Sequence, residues 1–175
     1  MANLIQIGKH LKDKSIPYKL ISLRSSSVEQ TAGLKVIDLG GDPSTDSGQG
    51  VFTVSDVVKS GVDENNVVKT LIVRGNSDFV ALAVRGKDRL DFKKVRKLFG
   101  SKSELAKPDE VEKVVGVPVG AVCPVAIEIP LYFDRAVMDL VHVNMGSGDL
   151  KFGLEMEFED LLKAVGEYKI IDVSQ

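Results

Sequence analysis

Lys69 sits inside an apolar, strand-like run, Val67-Val68-Lys69-Thr70-Leu71-Ile72-Val73, and about fifty residues later comes Gly116-Val117-Pro118-Val119-Gly120-Ala121-Val122-Cys123-Pro124. Side chains alternate faces along a strand, so Lys69 shares its face with Val67, Leu71 and Val73. An ammonium there must reach water, find a partner or serve a site, because leaving it dry and unpaired is very costly. Gly120, four residues before Pro124, has no helix to end. Without a Cβ it lets backbone N–H groups approach a ligand and donate to a carbonyl or a developing oxyanion, although a plain turn accounts for it as well. Read together, Lys69 and this loop mark the place where the chain can do chemistry.

Other reactive residue types are scarce. His10 and His142 are the only histidines and Cys123 the only cysteine, so no ordinary tetrahedral zinc site is expected, and no cofactor is called for. His142 faces opposite to Val141 and Val143 and reads as an outward or hydrogen-bonded strand histidine; His10 reads as surface. Cys123 has no neighbouring base or helix N-terminus in the sequence to activate it, and reads as a small buried apolar residue. Neither a Gly-x-Gly-x-x-Gly turn nor a Walker-type loop is present.

The elements that must position these residues follow from periodicity and breakers. Leu4, Ile7 and Leu11 line one side of a short helix that ends before Pro17. Strands are expected over 18–23, 67–73 and 79–84, and a short one over 34–39 inside a turn-rich surface elaboration spanning 24–50. A compact helix is expected over 53–61. Asp91 caps a helix whose Phe92, Val95, Leu98 and Phe99 form an apolar stripe stopped by Gly100. Pro108 begins another helix, with Val111, Val114 and Val115 inward and Gly116 as its stop. Further strands are expected over 125–129, 131–133, 141–145 and 150–156, the last two joined by the turn Gly146-Ser147-Gly148-Asp149, then a helix over 159–165 and a strand over 168–173. Short turns join most neighbouring strands. The fold class is therefore α+β, a single domain over 1–175 with a mixed, largely antiparallel sheet, curled or barrel-like, flanked by helices.

Composition is that of a globular protein, with 43% hydrophobic and 27% charged residues and a net charge of −2. No apolar run approaches the roughly 20 residues needed to cross a bilayer, so no membrane partner is expected. The lone cysteine and the lack of a secretory leader point to the cytoplasm. Charge is unevenly placed. Arg85, Lys87, Arg89, Lys93, Lys94, Arg96, Lys97 and Lys102 stand against Asp88 and Asp91, eight cations minus two carboxylates, a local excess of six. A basic face of this kind can hold a phosphate backbone; it can also be a solvated helix face.

Val68-Lys69-Thr70-Leu71, Gly86-Lys87-Asp88-Arg89-Leu90-Asp91, Gly116-x3-Gly120-x3-Pro124, and Gly146 followed by Phe158-Glu159-Asp160-Leu161-Leu162 stand in consistent order over about 53–166. That ordered set resembles the YbaK/ProX family of aminoacyl-tRNA deacylases, which includes the editing insertion domain of bacterial prolyl-tRNA synthetases. The resemblance implies hydrolysis of the ester joining a wrong, small amino acid to the 3′-terminal adenosine of tRNA. The partner is then the acceptor end of an aminoacyl-tRNA, with an aminoacyl-tRNA synthetase as a further one, and the chain a monomer or homodimer.

The same resemblance implies that Lys69 is essential and that the loop from Gly120 to Pro124 shapes the aminoacyl pocket. Lys69 would orient the substrate and stabilise charge on the carbonyl oxygen, and backbone N–H groups of Gly120 to Cys123 would hold that carbonyl. Thr70, Val122, Cys123, Pro124, Asn144 and Gly146 would contact the substrate, and Arg85, Lys87, Arg89, Lys93, Lys94 and Lys97 the tRNA phosphates. No side chain is an obvious general base, which leaves the adenosine 2′-hydroxyl to activate water. Two rival readings use the same residues: a binding module that recognises a small amino acid or aminoacyl-tRNA without turnover, and a Schiff base formed by Lys69.

Overall fold

The computed structural model describes residues 3–23, 36–38 and 61–175. Helix α1 (Leu4–Asp13) opens with a capping box in which Asn3 accepts from the Gln6 amide and Gln6 reaches back, and it buries Ile7 and Leu11. Strands β1 (Lys19–Ser22) and β2 (Val36–Asp38) follow, the latter within the span where 34–39 is expected to be extended. Of the helix expected over 53–61 all but the last residue, and the rest of the 24–50 elaboration, lie outside the described residues.

Strands β3 (Val68–Arg74) and β4 (Phe79–Arg85) form an antiparallel hairpin. Next come helix α2 (Phe92–Phe99), the two-residue strand β5 (Glu104–Leu105), and helix α3 (Pro108–Val115), which Gly116 ends in the left-handed region at φ 78°. The rest of the described chain is β6 (Leu131–Asp134), β7 (His142–Gly146), β8 (Phe152–Glu157), α4 (Phe158–Ala164) and β9 (Tyr168–Ile171).

These strands make two mixed sheets, ordered β2-β1-β8-β7 and β5-β3-β4-β6-β9. Four of the seven pairings are antiparallel, which agrees with the expected class. Instead of one curled sheet or a closed barrel, two sheets touch edge to edge through an isolated parallel bridge between Val67 and Asn144. The central hairpin is buried on both faces. Val68, Ile72, Ala81 and Ala83 join the larger core with α1, α3 and α4, while Val73, Val80, Leu82 and Val84 pack under α2 with Val95. Burial on both faces is why this stretch reads as a nearly continuous apolar run.

The structure departs from the expected elements at particular places. No strand forms over 125–129. Pro124 and Pro130 flank that stretch and Ala126 sits at φ 59°, so its apolar residues fill the core from an irregular segment. Leu98, expected in the buried stripe of α2, is 52% exposed, and Val114 is only half-buried. His10 is half-buried, its Nε2 2.8 Å from the Ala164 carbonyl, where it helps close the end of α4.

Candidate active site

Lys69 lies opposite Val84 on the hairpin, on the face that carries Leu71 and Val73 toward α2. Its stem follows that apolar face and its ammonium donates to the carbonyls of Gly86, at 3.1 Å, and Asp88, at 2.5 Å. Burial pulls its pKa below the ordinary lysine value; the nearby Asp88 charge opposes that shift and Arg89 adds to it. Two donors are spent on the turn, and one is left for a ligand.

The turn that receives Lys69 is itself fastened. Arg85 pairs with Asp88 at 2.6 Å. The Asp91 amide donates to Val173 and the Gln175 amide to Arg89, so the C-terminal residues strap the segment from 89 to 91. Asp134 anchors the strap: its buried carboxylate accepts from the amides of Val173, Ser174 and Ala136 and from the Ser174 hydroxyl. Burial alone would raise the pKa of Asp134, yet these four donors outweigh it and hold the carboxyl below its usual range. Sequence reasoning missed Asp134; the signal was an acidic residue closing the apolar run Leu131-Tyr132-Phe133.

The glycine loop is shaped by close backbone approach. Gly120 adopts φ 91°, and Ala121 donates to Pro118 and accepts from Gly148 at 2.8 Å. The loop thus docks on the hairpin between β7 and β8. A Cβ on Gly146 would lie 2.3 Å from the Val122 carbonyl oxygen and 2.9 Å from backbone atoms of Ala121, closer than real contacts allow. Gly146→Ala is expected to lower stability by about 1–3 kcal/mol, the usual cost of overpacking. It should also weaken any function of the loop, checked by thermal melts beside activity.

Between loop, β3 and β7 lies a cleft of about 240 Å³. Val67 to Leu71, Val119, Gly120, Val122 and Asn144 to Gly146 line it, along with Leu23, Asp149, Leu150, Phe152 and Gly153. Its volume is below the roughly 300–1,000 Å³ of sites for drug-sized ligands, and so suits one small moiety. Asn144 is only 2% exposed and its Nδ2 has no partner among the described residues; the same holds for the buried Thr70 Oγ1. Such orphans cost about 1–3 kcal/mol each, and a ligand that satisfies them recovers it. Asp149 is the one carboxylate of the described wall, and its Oδ1 accepts from the Lys151 amide. By sequence it is a turn residue, the last of Gly146-Ser147-Gly148-Asp149.

Lys69, Thr70, Gly120, Val122, Asn144 and Gly146 therefore meet at one cleft. Cys123 and Pro124 do not reach its wall. Both are buried behind the loop, and loss of solvation pushes the Cys123 thiol up to about 12, which leaves it inert as a nucleophile. None of Arg85, Lys87, Arg89, Lys93, Lys94 and Lys97 lines the cleft. Arg85 is taken by Asp88, Lys94 by Asp172 and the Ser174 carbonyl, and Lys87 donates to Asn65, while Arg89, Lys93 and Lys97 are exposed. His142 is exposed and pairs with Glu157 at 2.8 Å. Among the described residues no three His, Cys, Asp or Glu side chains gather as metal ligands, and no helix is long and apolar enough to cross a membrane.

Comparison with known proteins matches residues 49–164 to the family described as the aminoacyl-tRNA editing domain. The proline–tRNA ligase of Caldicellulosiruptor saccharolyticus is 32% identical over 107 residues, 60% of this chain and 19% of that protein. That of Solidesulfovibrio magneticus is 39% identical over 97 residues, 46% of this chain and 17% of that protein. The chain thus spans about a fifth of the length of these curated relatives. Two solved structures share its fold. One, of a hypothetical protein, has a TM-score of 0.72 at 27% identity and covers 97% of this chain and 99% of its own. The other, of a candidate trans-editing enzyme for prolyl tRNA synthetase, has a TM-score of 0.63 at 26% identity and covers 71% of this chain and 81% of its own.

Proposed function

The chain belongs to the aminoacyl-tRNA editing domain family, and from that premise we propose that its cleft takes the aminoacyl end of a mischarged tRNA and hydrolyses the ester in trans. The observation that carries this reading is the meeting of Lys69 and the 119–122 loop in one small cleft. Water adds to the ester carbonyl, the bond to the ribose oxygen breaks, and a small free amino acid and intact tRNA leave. Negative charge grows on the carbonyl oxygen during that addition, and preorganised donors lower its cost. Lys69 supplies the N–H that the Gly86 and Asp88 carbonyls leave over. The Ala121 amide is already spent on Pro118, so the loop's contribution falls to the amides of Gly120 and Val122.

The adenosine 2′-hydroxyl is the natural group to pass the water's proton, since the only carboxylate of the described wall, Asp149, is engaged in its own turn. The exposed cations Arg89, Lys93 and Lys97, with Lys87, provide phosphate contacts for the acceptor arm. They stand at and beyond the turn that holds Lys69, on the sheet face covered by α2. Such work belongs in the cytoplasm, where tRNA is charged.

A panel of tRNAs mischarged with alanine, serine, cysteine and threonine tests the proposal. Release of free amino acid from at least one, faster than spontaneous hydrolysis, is expected. Binding without release from any of them would leave only a recognition module.

A further inference from the structure

Among the described residues one edge of β3 is bare where it borders the cleft. Val67 accepts from the Gly86 amide on the β4 side at 2.7 Å, whereas Ile72 accepts from the Ala106 amide on the opposite edge at 2.9 Å. Backbone groups of successive strand residues point to alternate edges, so Thr70 turns both its N–H and its C=O to the edge that Ile72 uses. On that edge the sheet is interrupted. Val67 bridges Asn144, and the β5 segment with Ala106 takes up pairing only from Ile72 onward, so among the described residues no strand covers Thr70. Thr70 lines the cleft instead. A strand edge whose peptide groups are unmet is a ready template for a complementary donor and acceptor.

Building on the cleft as an aminoacyl site, we propose that the backbone of Thr70 reads the aminoacyl group as though it were a one-residue strand. An aminoacyl ester carries an ammonium and a carbonyl on either side of one Cα, the spacing of N–H and C=O in a single extended residue. Residues directly opposite in an antiparallel, hydrogen-bonded pair exchange both bonds. The ester carbonyl accepts from the Thr70 amide and the α-ammonium donates to the Thr70 carbonyl, with the Asp149 charge favouring the ammonium in this cleft. The carbonyl's second lone pair, and the third that forms as the oxyanion develops, stay free for Lys69 and a loop amide. This clamp is blind to side-chain chemistry, which explains how a site can accept several small amino acids. It is sensitive to configuration: with both backbone bonds made, an L residue sends its side chain to one face of β3 and a D residue to the other.

Two measurements test it. In the first, ¹⁵N-labelled protein is titrated with 3′-(L-alanylamino)-3′-deoxyadenosine, whose amide resists hydrolysis, and with its D-alanyl counterpart. A downfield shift and slowed exchange of the Thr70 amide with the L compound are expected, with binding of the D compound at least about tenfold weaker. An unmoved Thr70 amide, or equal affinity for the two, overturns the proposal. The second uses Thr70→Pro, which removes the N–H at an edge position where proline is tolerated. A fall of roughly 10–100-fold in kcat/KM with an unchanged melting temperature is expected, the worth of one good hydrogen bond. Wild-type kcat/KM in a folded Thr70→Pro protein overturns it; should that variant not fold, the titration decides. Because the titration needs no turnover, it separates this clamp from the deacylase reading, which fails if no mischarged tRNA is hydrolysed.

Discussion

Lys69→Ala is expected to lower kcat/KM for deacylation by roughly 10²–10³, the loss seen when one preorganised oxyanion donor is removed. The fold should survive. The side chain is half-buried rather than sealed, and the Gly86 and Asp88 carbonyls it leaves behind belong to a turn that Arg85, Asp88 and the C-terminal strap fasten independently. Circular dichroism and a melt near the wild-type temperature would confirm that, and wild-type turnover by the folded variant would refute the role. Lys69→Arg should not rescue, because a planar fork cannot occupy the site of a compact ammonium bonded to two carbonyls.

Titration of the same group gives a pH signature. Burial disfavours the charged form, so the pKa of Lys69 in the folded protein lies below that of a free lysine. The ammonium is present at lower pH and is lost as pH rises through that depressed value. Affinity for the non-hydrolysable analogue is expected to fall along an alkaline limb that starts earlier than a free lysine's. In Lys69→Ala the part of the limb that belongs to residue 69 should be missing, leaving only the loss set by the analogue's own α-ammonium at about 8. Binding is the better readout than turnover, since the natural ester hydrolyses by itself in base.

Binding of tRNA is expected to weaken steeply with salt. Among the described residues Lys87, Arg89, Lys93 and Lys97 pair with no carboxylate, while Arg85 and Lys94 are already neutralised by Asp88 and Asp172. Four phosphate contacts at about 0.7–0.9 released counterions each predict a log–log slope near −3, or about a 50- to 150-fold loss of affinity between roughly 50 and 200 mM salt. Lys93→Gln should flatten the slope by about one contact without altering hydrolysis of a short aminoacyl-adenosine substrate. A binding constant that ignores salt would remove this face from the interface.

Local order was legible in the chain wherever one element is enough to explain it. Leu4, Ile7 and Leu11 mark α1, Pro108 and Gly116 bracket α3, and the turn from Gly146 to Asp149 joins two strands, because side-chain periodicity and φ preference act over a few residues. The misplacement of Lys69 among apolar neighbours was legible for the same reason: alternation along a single strand exposes it. The apolar stretch over 125–129 misled, since its composition suits a strand while the flanking prolines and the turn at Ala126 make it a core-filling irregular segment.

What tertiary structure alone decided depends on partners distant in sequence. Which cations stay free hangs on Asp172, 78 residues from Lys94. Gly146 is required because the backbone of residues 121 and 122 comes to lie against it. Among the described residues Thr70 has a bare edge only because β7 touches β3 at Val67 and the β5 segment reaches it first at Ile72, through Ala106. Periodicity records which face of an element is buried and says nothing about which strand lies beside it; strand neighbours are set by long-range packing, and in this protein they leave the gap where the site forms.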